Sequence, residues 1–261
     1  MGDIQTDQGG LLELQFVPVD EFARLLEANV PDVLRARAFA ALARINTLYM
    51  IAGAWSGHIG TSFSSIEIMS WLFLNEIRDL AKGPQAADIF FSSKGHDAPA
   101  LYNVLIGLGL LPEDKLHQLR RLHGLPGHPH VETPYIHANT GSLGMGISKA
   151  KGIVLANRLA GAERRVFVLT GDGELQEGQF WESLPSAANR GLGEIEITRH
   201  ACRGLAGLTN QLDHLRLERR GERPTRALLP SHRLHCGHPF RGNAPHRGCP
   251  SNRLNPTRQL P

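Results

Sequence analysis

The segment that decides the fold reads Arg165-Val-Phe-Val-Leu-Thr-Gly-Asp-Gly-Glu-Leu-Gln-Glu-Gly-Gln-Phe-Trp-Glu-Ser183. Its apolar, β-branched start predicts a buried strand over 165–170, and the change of pattern near Glu174 predicts a helix over 174–190. Between them lies Gly171-Asp-Gly173, a carboxylate flanked by two glycines. Glycines let the backbone approach an anion, a helix N-terminus favours negative charge, and a carboxylate is a ligand for hard cations. The segment therefore predicts a loop that binds a metal ion together with a phosphate.

The sequence before this segment alternates between helical and strand patterns. Helical spacing starts at Val19 and restarts at Pro31, and Ser64 or Ser65 is predicted to cap the next helix. The further predicted elements are a strand over 88–92, helices over 98–106, 112–122 and 143–159, and a Pro-, Gly- and His-rich loop over 124–140. This alternation predicts an α/β fold with a mostly parallel sheet flanked by helices, whose ligands bind beyond the carboxyl ends of the strands.

Composition divides the chain near residue 198. Residues 194–261 carry 12 arginines against 5 acidic side chains, a net charge of +7, whereas the residues before them carry a net charge of −4. All the lysines lie at or before Lys151, and all 3 cysteines lie in the tail. We therefore predict an incomplete domain over 1–198 and a tail over 199–261 that is disordered or translated out of frame. Strand 165–170 would then form the edge of a truncated sheet.

The composition also excludes several classes of protein. No apolar run reaches the roughly 18 residues of a membrane span, and the N-terminus lacks a secretion signal, so we expect a cytoplasmic protein with no membrane partner. The tail has one aromatic side chain, Phe240, for stacking on bases, which argues against a nucleic-acid partner. The tail residues that would bind zinc match no standard spacing: His235, Cys236, His238, His246 and Cys249.

Three histidines share one local pattern, in which a glycine comes directly before the histidine. They lie in Ser56-Gly-His58, Lys94-Gly-His96 and Pro126-Gly-His128, each where a helical or strand pattern breaks. Histidines in tight loops can hydrogen-bond a phosphate or transfer protons near neutral pH. Any one of them alone would be read as an ordinary loop or capping residue, but the shared pattern favours a common site.

Residues 35–195 resemble the thiamine diphosphate-binding half of transketolase. The resemblance is strongest to the split form, in which two short chains together make up the enzyme. Five motifs carry the resemblance, in the order and spacing of that family: Ser56-Gly-His-Ile-Gly60, Ser92-Ser-Lys-Gly-His96, Leu125-Pro-Gly-His-Pro129, Asn139-Thr-Gly-Ser-Leu-Gly-Met-Gly146 and Gly171-Asp-Gly-Glu-Leu-Gln-Glu-Gly178. The resemblance implies the pyrophosphate-binding (PP-type) fold of this family. It also implies a transferase of the pentose phosphate pathway, which uses thiamine diphosphate and Mg²⁺ to move a two-carbon ketol unit between sugar phosphates.

The resemblance further implies which residues bind the cofactor. Asp172 would bind the Mg²⁺ that bridges the diphosphate, and Gly173 would contact that diphosphate through its backbone. His96 would hydrogen-bond the phosphate end of the cofactor. The bend of the cofactor towards its reactive carbon would be lined by three residues of the Gly-rich turn, Gly141, Ser142 and Leu143.

The catalytic roles and the partner are also implied by the resemblance. His58 and His128 would contact the hydroxyl and carbonyl oxygens of the sugar donor and assist proton transfers. Glu177 would lie at the subunit interface, near a carboxylate of the partner. The aminopyrimidine end of the cofactor would be bound by a second chain, a C-terminal pyrimidine-binding subunit, in a dimer or heterotetramer.

Three features depart from the family pattern. The family completes its metal site with an Asn after the next strand, and that position is Cys202, whose thiol is a poor ligand for Mg²⁺. Pro185 falls inside the predicted helix 174–190, where it removes a hydrogen bond and costs about 3 kcal/mol. The switch in composition near residues 195–198 is typical of out-of-frame translation. Two alternatives therefore stay open: another thiamine-dependent synthase or a transketolase for an unusual sugar, and an inactive protein that only binds a partner.

Overall fold

The computed structural model describes Ile4–Gln5, Leu11–Leu12, residues 14–200 and Asp213–Arg216. The first two segments form β1 (Ile4–Gln5) and β2 (Leu11–Leu12), which pair antiparallel. Cys202 lies outside the described residues, as does most of the tail, so the predictions made for them stay predictions.

A four-stranded sheet forms the centre of the described chain. Its order is β3 (Ile89–Ser92), β4 (Val166–Gly171), β5 (Ile195–His200) and β6 (Asp213–Arg216). The first three strands are parallel, with Ile89 opposite Val166 and Val166 opposite Ile195, and β6 is antiparallel to β5. The predicted strand 165–170 is therefore an interior strand, and the expectation that it forms the edge of the sheet is wrong.

Six helices cover the sheet in the described part of the chain. Their bounds are α1 Val19–Glu27, α2 Asp32–Ala54, α3 Ile59–Trp71, α4 Ala98–Gly107, α5 Gly146–Leu159 and α6 Gly178–Asn189. A π-helical turn, Leu72–Glu76, extends α3, and short 3-10 turns cover Leu80–Lys82, Glu113–His117 and Gly173–Gln176. Within this part of the chain, no helix is both long and apolar enough to span a lipid bilayer.

The side chains of β4 explain the layered arrangement. All six residues of the strand are buried, and successive side chains alternate between the two faces of the sheet. Phe167 and Leu169 pack with α1 to α4 on one face, whereas Val166 and Val168 pack with α5 and α6 on the other. A parallel sheet covered on both faces needs such a continuous apolar strand. The predicted α/β fold, with a mostly parallel sheet flanked by helices, is confirmed.

Helix α3 starts earlier than the sequence predicts. Neither Ser64 nor Ser65 caps it, because their hydroxyls donate to carbonyls inside the helix, those of Gly60 and Thr61. Instead α2 ends at Ala54 and is capped by Trp55, which has the left-handed φ of 50° that terminates many helices, and α3 begins at Ile59. The turn between the two helices therefore presents His58 at the start of α3.

The predicted helix over 112–122 is only a short 3-10 turn, Glu113–His117. Arg120 and His123 adopt left-handed φ angles of 54° and 59°, which no α-helix can contain. The backbone instead forms a tight loop in which Leu119 and Leu125 pair in an isolated bridge and are both buried. Burial of these leucines therefore outweighs the helical preference of the polar residues between them.

Residues 171–177, which the sequence predicts to bind a metal, are called the metal loop below, and the helix that follows them also differs in its start. The chain passes through a 3-10 turn, Gly173–Gln176, before α6 begins at Gly178, because Glu174 turns inward and is buried. Pro185 lies inside α6 as predicted. The helix persists because buried Phe180, Ser183 and Ala187 hold its inner face against the sheet layer.

Candidate active site

The candidate site lies at the carboxyl ends of β3 and β4. Strand β3 ends at Ser92 and runs into the loop that contains His96, and β4 ends at Gly171 just before Asp172. Because the strands are parallel and in register, with Ser92 opposite Leu169, these loops emerge from the same edge of the sheet. Open α/β sheets bind ligands at this edge. We call it the carboxyl edge below.

The three histidines predicted from the sequence approach one another at the carboxyl edge. The rings of His58 and His96 are in edge contact, with their centroids 5.1 Å apart. Gly95 abuts the backbone of Gly141, since a Cβ at position 95 would lie 2.7 Å from the Gly141 nitrogen. A Cβ at Gly141 would in turn lie 2.9 Å from the ring of His128. The fold therefore brings four sequence motifs, the three with histidines and the Gly-rich turn, together in one cluster.

His96 is the most enclosed of the three histidines. His58 and His128 are exposed, whereas His96 is half-buried, and its Nδ1 lies 3.1 Å from the Lys94 carbonyl, to which it donates. Burial, more than the nearby Lys94 charge, lowers the pKa of His96, although Asp97 opposes the shift. The free ring is thus neutral near pH 7, with its second nitrogen unprotonated. To donate to a phosphate oxygen it would have to gain a proton, which an adjacent anion favours.

The Gly-rich turn over 139–146 packs closely against residues 93–97, called the histidine loop below, and against the metal loop. Gly141 and Gly144 have positive φ angles of 129° and 77°, which favour glycine. A Cβ at Gly144 would lie 2.7 Å from the Cβ of Glu177, the residue that precedes α6. Between the two glycines, Ser142 and Leu143 are exposed. The turn therefore presents backbone and two side chains to the solvent at the carboxyl edge, as a cofactor-lining segment would.

The metal loop exposes its carboxylate. Asp172 is exposed, and its Oδ1 accepts a hydrogen bond of 2.9 Å from the Gly173 N–H. A Cβ at Gly173 would meet no atom within 4 Å, so the backbone there faces open space. No group of three His, Cys, Asp or Glu side chains able to hold a metal occurs among the described residues. Mg²⁺ is usually held by one or two carboxylates plus phosphate oxygens, so a single Asp beside a diphosphate suits it.

Two buried charged residues at this edge are not singled out by the sequence patterns. Lys94 is buried, and its Nζ lies 3.1 Å from both Asp97 Oδ2 and Thr61 Oγ1. Glu174 is 1% exposed, although it starts the predicted helix 174–190, where a glutamate usually faces solvent. The one available signal for Lys94 is its place between a strand end and Gly95, where a long side chain points back under the loops.

His200, the last residue of β5, packs beside Lys94. Its Nδ1 lies 3.4 Å from Lys94 Nζ. Burial, together with the Lys94 charge, lowers the pKa of His200 to about 4, so its imidazole is neutral and accepts from the ammonium. Strand β5 thus continues two residues past the predicted domain boundary at 198 and brings the first tail residues to the carboxyl edge.

The fold agrees with one class of protein, the α/β domains that bind thiamine diphosphate. The sequence profile described as transketolase, thiamine diphosphate binding domain, matches residues 35–198. This match covers more than half of the chain and all five motifs that meet at the carboxyl edge. The chain therefore belongs to the transketolase family.

Individual relatives sharpen this assignment. The chain is 37% identical over 188 residues to one subunit of the apulose-4-phosphate transketolase of Actinobacillus succinogenes, covering 69% of this chain and 67% of that protein. It is 36% identical over 178 residues to the transketolase of Pongo abelii, covering 65% of this chain but only 29% of that protein. The chain thus spans two thirds of one subunit from a split enzyme and less than a third of a single-chain enzyme.

Solved transketolase structures agree with the fold. The transketolase of Leishmania mexicana superposes with a TM-score of 0.56 at 25% identity, covering 72% of this chain and 28% of that one. The transketolase of Campylobacter jejuni superposes with a TM-score of 0.56 at 26% identity, covering 64% and 28%. The similarity therefore extends over the α/β domain and not over whole transketolases.

Proposed function

We propose that this chain is the thiamine diphosphate-binding subunit of a two-chain transketolase. The observation that carries the proposal is the cluster of His58, His96 and His128 around Gly141, beside the exposed carboxylate of Asp172. A chain could match the family in sequence even if its motifs did not lie close together in the folded structure. Here the loops still meet, at the sheet edge where ligands of such folds bind.

The cofactor would be held by residues of three loops. Asp172 would bind Mg²⁺ together with the diphosphate, and the open backbone at Gly173 would receive a diphosphate oxygen. His96 would hydrogen-bond the phosphate end in its doubly protonated form, and the exposed turn with Gly141, Ser142 and Leu143 would line the path to the reactive carbon. When bound, thiamine diphosphate supplies the carbon centre that stabilises a carbanion, while the protein orients the reactants.

The two exposed histidines would serve the sugar. His58 and His128 are exposed, whereas His96 is half-buried, so a substrate entering from solvent would reach the two exposed imidazoles most readily. An imidazole can donate to a sugar carbonyl oxygen or accept a hydroxyl proton near neutral pH. We assign them the orientation of the ketose phosphate and the proton transfers at its oxygens, and we place Glu177 at the subunit interface.

A second, pyrimidine-binding subunit would complete the site, in a dimer or heterotetramer. The outer face of α2 supports such a partner, because its apolar residues recur with the heptad spacing of helix–helix interfaces and are partly or fully exposed: Leu34, Ala38, Ala41, Ile45, Leu48, Ala52 and Trp55. This stripe, the α2 stripe, ends at Trp55, three residues before His58. Trp55 is 74% exposed, a costly arrangement unless another surface covers it.

We propose transfer of a two-carbon ketol unit between sugar phosphates, as in the pentose phosphate pathway. The name of the Actinobacillus relative, an apulose-4-phosphate transketolase, favours a second candidate, a transketolase for an unusual sugar. Assays with branched and unbranched ketose phosphates separate the two. The cytoplasmic location stays a prediction, which cell fractionation tests.

The inactive alternative depends on the tail. Cys202 stands where the family has a metal ligand, and we propose that the sequence from about residue 198 is translated out of frame. Translation of the other two frames of the gene tests this: one of them should encode the missing strand and Asn. If neither does, the tail belongs to the protein.

Cofactor binding by the full chain tests the proposed function. Isothermal titration calorimetry with thiamine diphosphate should give saturable binding that requires Mg²⁺, with or without the candidate partner chain. Asp172→Asn should weaken the affinity at least about tenfold, because it removes the charge that holds the metal. Asp20→Asn, exposed on α1, is the matched control and should bind like the wild type. An absence of binding in every case would support the inactive alternative.

A further inference from the structure

Glu174 connects three loops at the carboxyl edge through one carboxylate. Its Oε1 accepts hydrogen bonds from the Ser93 hydroxyl and from the Gly144 N–H, the latter at 2.9 Å. Its Oε2 accepts from the Gly171 N–H at 2.9 Å. The side chain is 1% exposed, so these bonds form away from solvent. A buried carboxylate is stable only where donors surround it, and here they do.

The three donors belong to three different segments of the sequence. Ser93 lies 81 residues before Glu174 and precedes His96, whereas Gly144 lies 30 residues before it, in the Gly-rich turn. Gly171 lies next to Asp172. Each of these segments contains a residue to which we assign a contact with the cofactor. Glu174 therefore fixes the spacing of the loops that would hold the cofactor, without itself facing the solvent.

The surrounding glycines are shaped to allow these contacts. Gly146 leaves room for the Ser93 hydroxyl, because a Cβ at position 146 would lie 2.5 Å from the Ser93 oxygen. Gly144 adopts the left-handed φ of 77° and is packed against Glu177. These close approaches leave the loops little freedom to shift while the carboxylate bonds are intact.

We propose that Glu174 is a positioning residue for the cofactor, which keeps the histidine loop, the Gly-rich turn and the metal loop at the separation that a diphosphate requires. The inference rests on the proposed function. This role differs from ordinary stabilisation of the fold in two ways. All three donors lie in segments that we assign to the cofactor, and all three are neutral, so no buried cation is left unpaired when the carboxylate is removed. Loss of the carboxylate would thus affect cofactor affinity more than folding.

Glu174→Gln is the sharpest variant, because it keeps the shape and removes the second acceptor oxygen. The amide NH₂ must then face an N–H or O–H donor, so at least one loop loses its bond. We expect the dissociation constant for thiamine diphosphate with Mg²⁺ to rise at least about tenfold in the full chain, since a buried bond to a charged group is lost. Glu182→Gln, exposed on α6, is the matched control and should bind like the wild type.

Amide hydrogen exchange without any ligand separates this proposal from the proposed function. In Glu174→Gln, exchange should quicken together in 93–97, 139–146 and 171–174, while the strands keep their protection. Unchanged affinity in a folded Glu174→Gln protein, or faster exchange confined to 171–174, would overturn the positioning role. If the wild type binds no cofactor but the three loops loosen together, the proposed function fails and the connection through Glu174 stands. If Glu174→Gln does not fold, Ser93→Ala, which removes one donor, supplies the same comparison.

Discussion

The two ends of the parallel strands, the amino edge and the carboxyl edge of the sheet, each contain a buried carboxylate. The two carboxylates are stabilised by different kinds of partner. At the amino edge, Asp88 is 4% exposed and pairs with the guanidinium groups of Arg78 and Arg165, both at 2.8 Å. At the carboxyl edge, Glu174 is equally buried but accepts only from neutral N–H and O–H groups. The first arrangement joins strand ends by charge. The second joins loops by hydrogen bonds from neutral groups, and His58, His128 and Asp172 stay exposed on the same side of the sheet.

This difference indicates that the amino edge contributes mainly to the stability of the fold, whereas the carboxyl edge contributes mainly to ligand binding. Burial alone would raise the pKa of Asp88, but hydrogen bonds from Arg78 and from the Arg165 backbone outweigh it and hold that pKa below its ordinary value. The amino edge therefore favours a permanently charged, rigid network. The carboxyl edge instead keeps glycine loops whose positions depend on one carboxylate. We expect variants at the two edges to separate these properties.

The largest effect on folding is expected from Asp88→Asn. The variant leaves two guanidinium groups without their shared carboxylate, which costs about 3 kcal/mol in the free energy of unfolding. Urea denaturation measures this loss. Asp79→Asn is the matched control, because Asp79 pairs with Lys82 on the surface and should contribute less than about 1 kcal/mol. Equal effects of the two variants would contradict the stabilising role of the amino edge.

His137 gives the next largest effect, and it depends on pH. Burial, reinforced by the charge of Arg164, lowers the pKa of His137 to about 4. The unfolded chain, with an imidazole pKa of about 6.5, binds the proton first, so the contribution of His137 is full above pH 6.5 and is lost as pH falls towards 4.

Replacement of this imidazole tests the pH dependence. We expect His137→Gln to flatten the plot of unfolding free energy between pH 6.5 and pH 4 by about 2 kcal/mol, measured by denaturation at each pH. A slope that His137→Gln does not alter would show that the ring is hydrated in the folded state.

The smallest expected effect concerns the partner. Trp55→Asn removes the largest side chain of the α2 stripe, and Asn tolerates the left-handed backbone at this position. Affinity for the pyrimidine-binding subunit should fall at least tenfold, or about 1.4 kcal/mol, with unchanged stability, as surface plasmon resonance and thermal unfolding would measure. Leu159→Asn, on an apolar residue at the end of α5 that is even more exposed than Trp55, is the control. Equal loss of affinity in both would remove the α2 stripe from the interface.

Much of this architecture is encoded locally and was predictable. The buried strand Val166–Gly171 has a β-branched, apolar pattern, and the glycines beside His58, His96 and His128 mark the turns that bring them together. These signals come from the backbone preferences of the residues themselves: β-branched residues favour strands, and glycines favour turns. They therefore survive in the sequence without knowledge of what the residue contacts.

Other features depend on distant contacts and were not predictable. Glu174 has the spacing of an exposed helical residue, yet donors from residues 30 and 81 positions away draw it inward and delay the start of α6. The polar sequence of 112–122 is typical of an exposed helix, but burial of Leu119 and Leu125 forces the chain into a loop after the short turn Glu113–His117. In both cases a tertiary contact outweighs a local preference of a few tenths of a kcal/mol per residue.

Hydrogen exchange of the wild-type chain with and without thiamine diphosphate and Mg²⁺ tests the central claim most directly. The cofactor should slow amide exchange in the loops 93–97, 139–146 and 171–177 and leave the amino-edge segments 76–88 and 162–165 unchanged. Protection at the amino edge, or none in those three loops at saturating cofactor, would contradict the assignment of the carboxyl edge as the cofactor site.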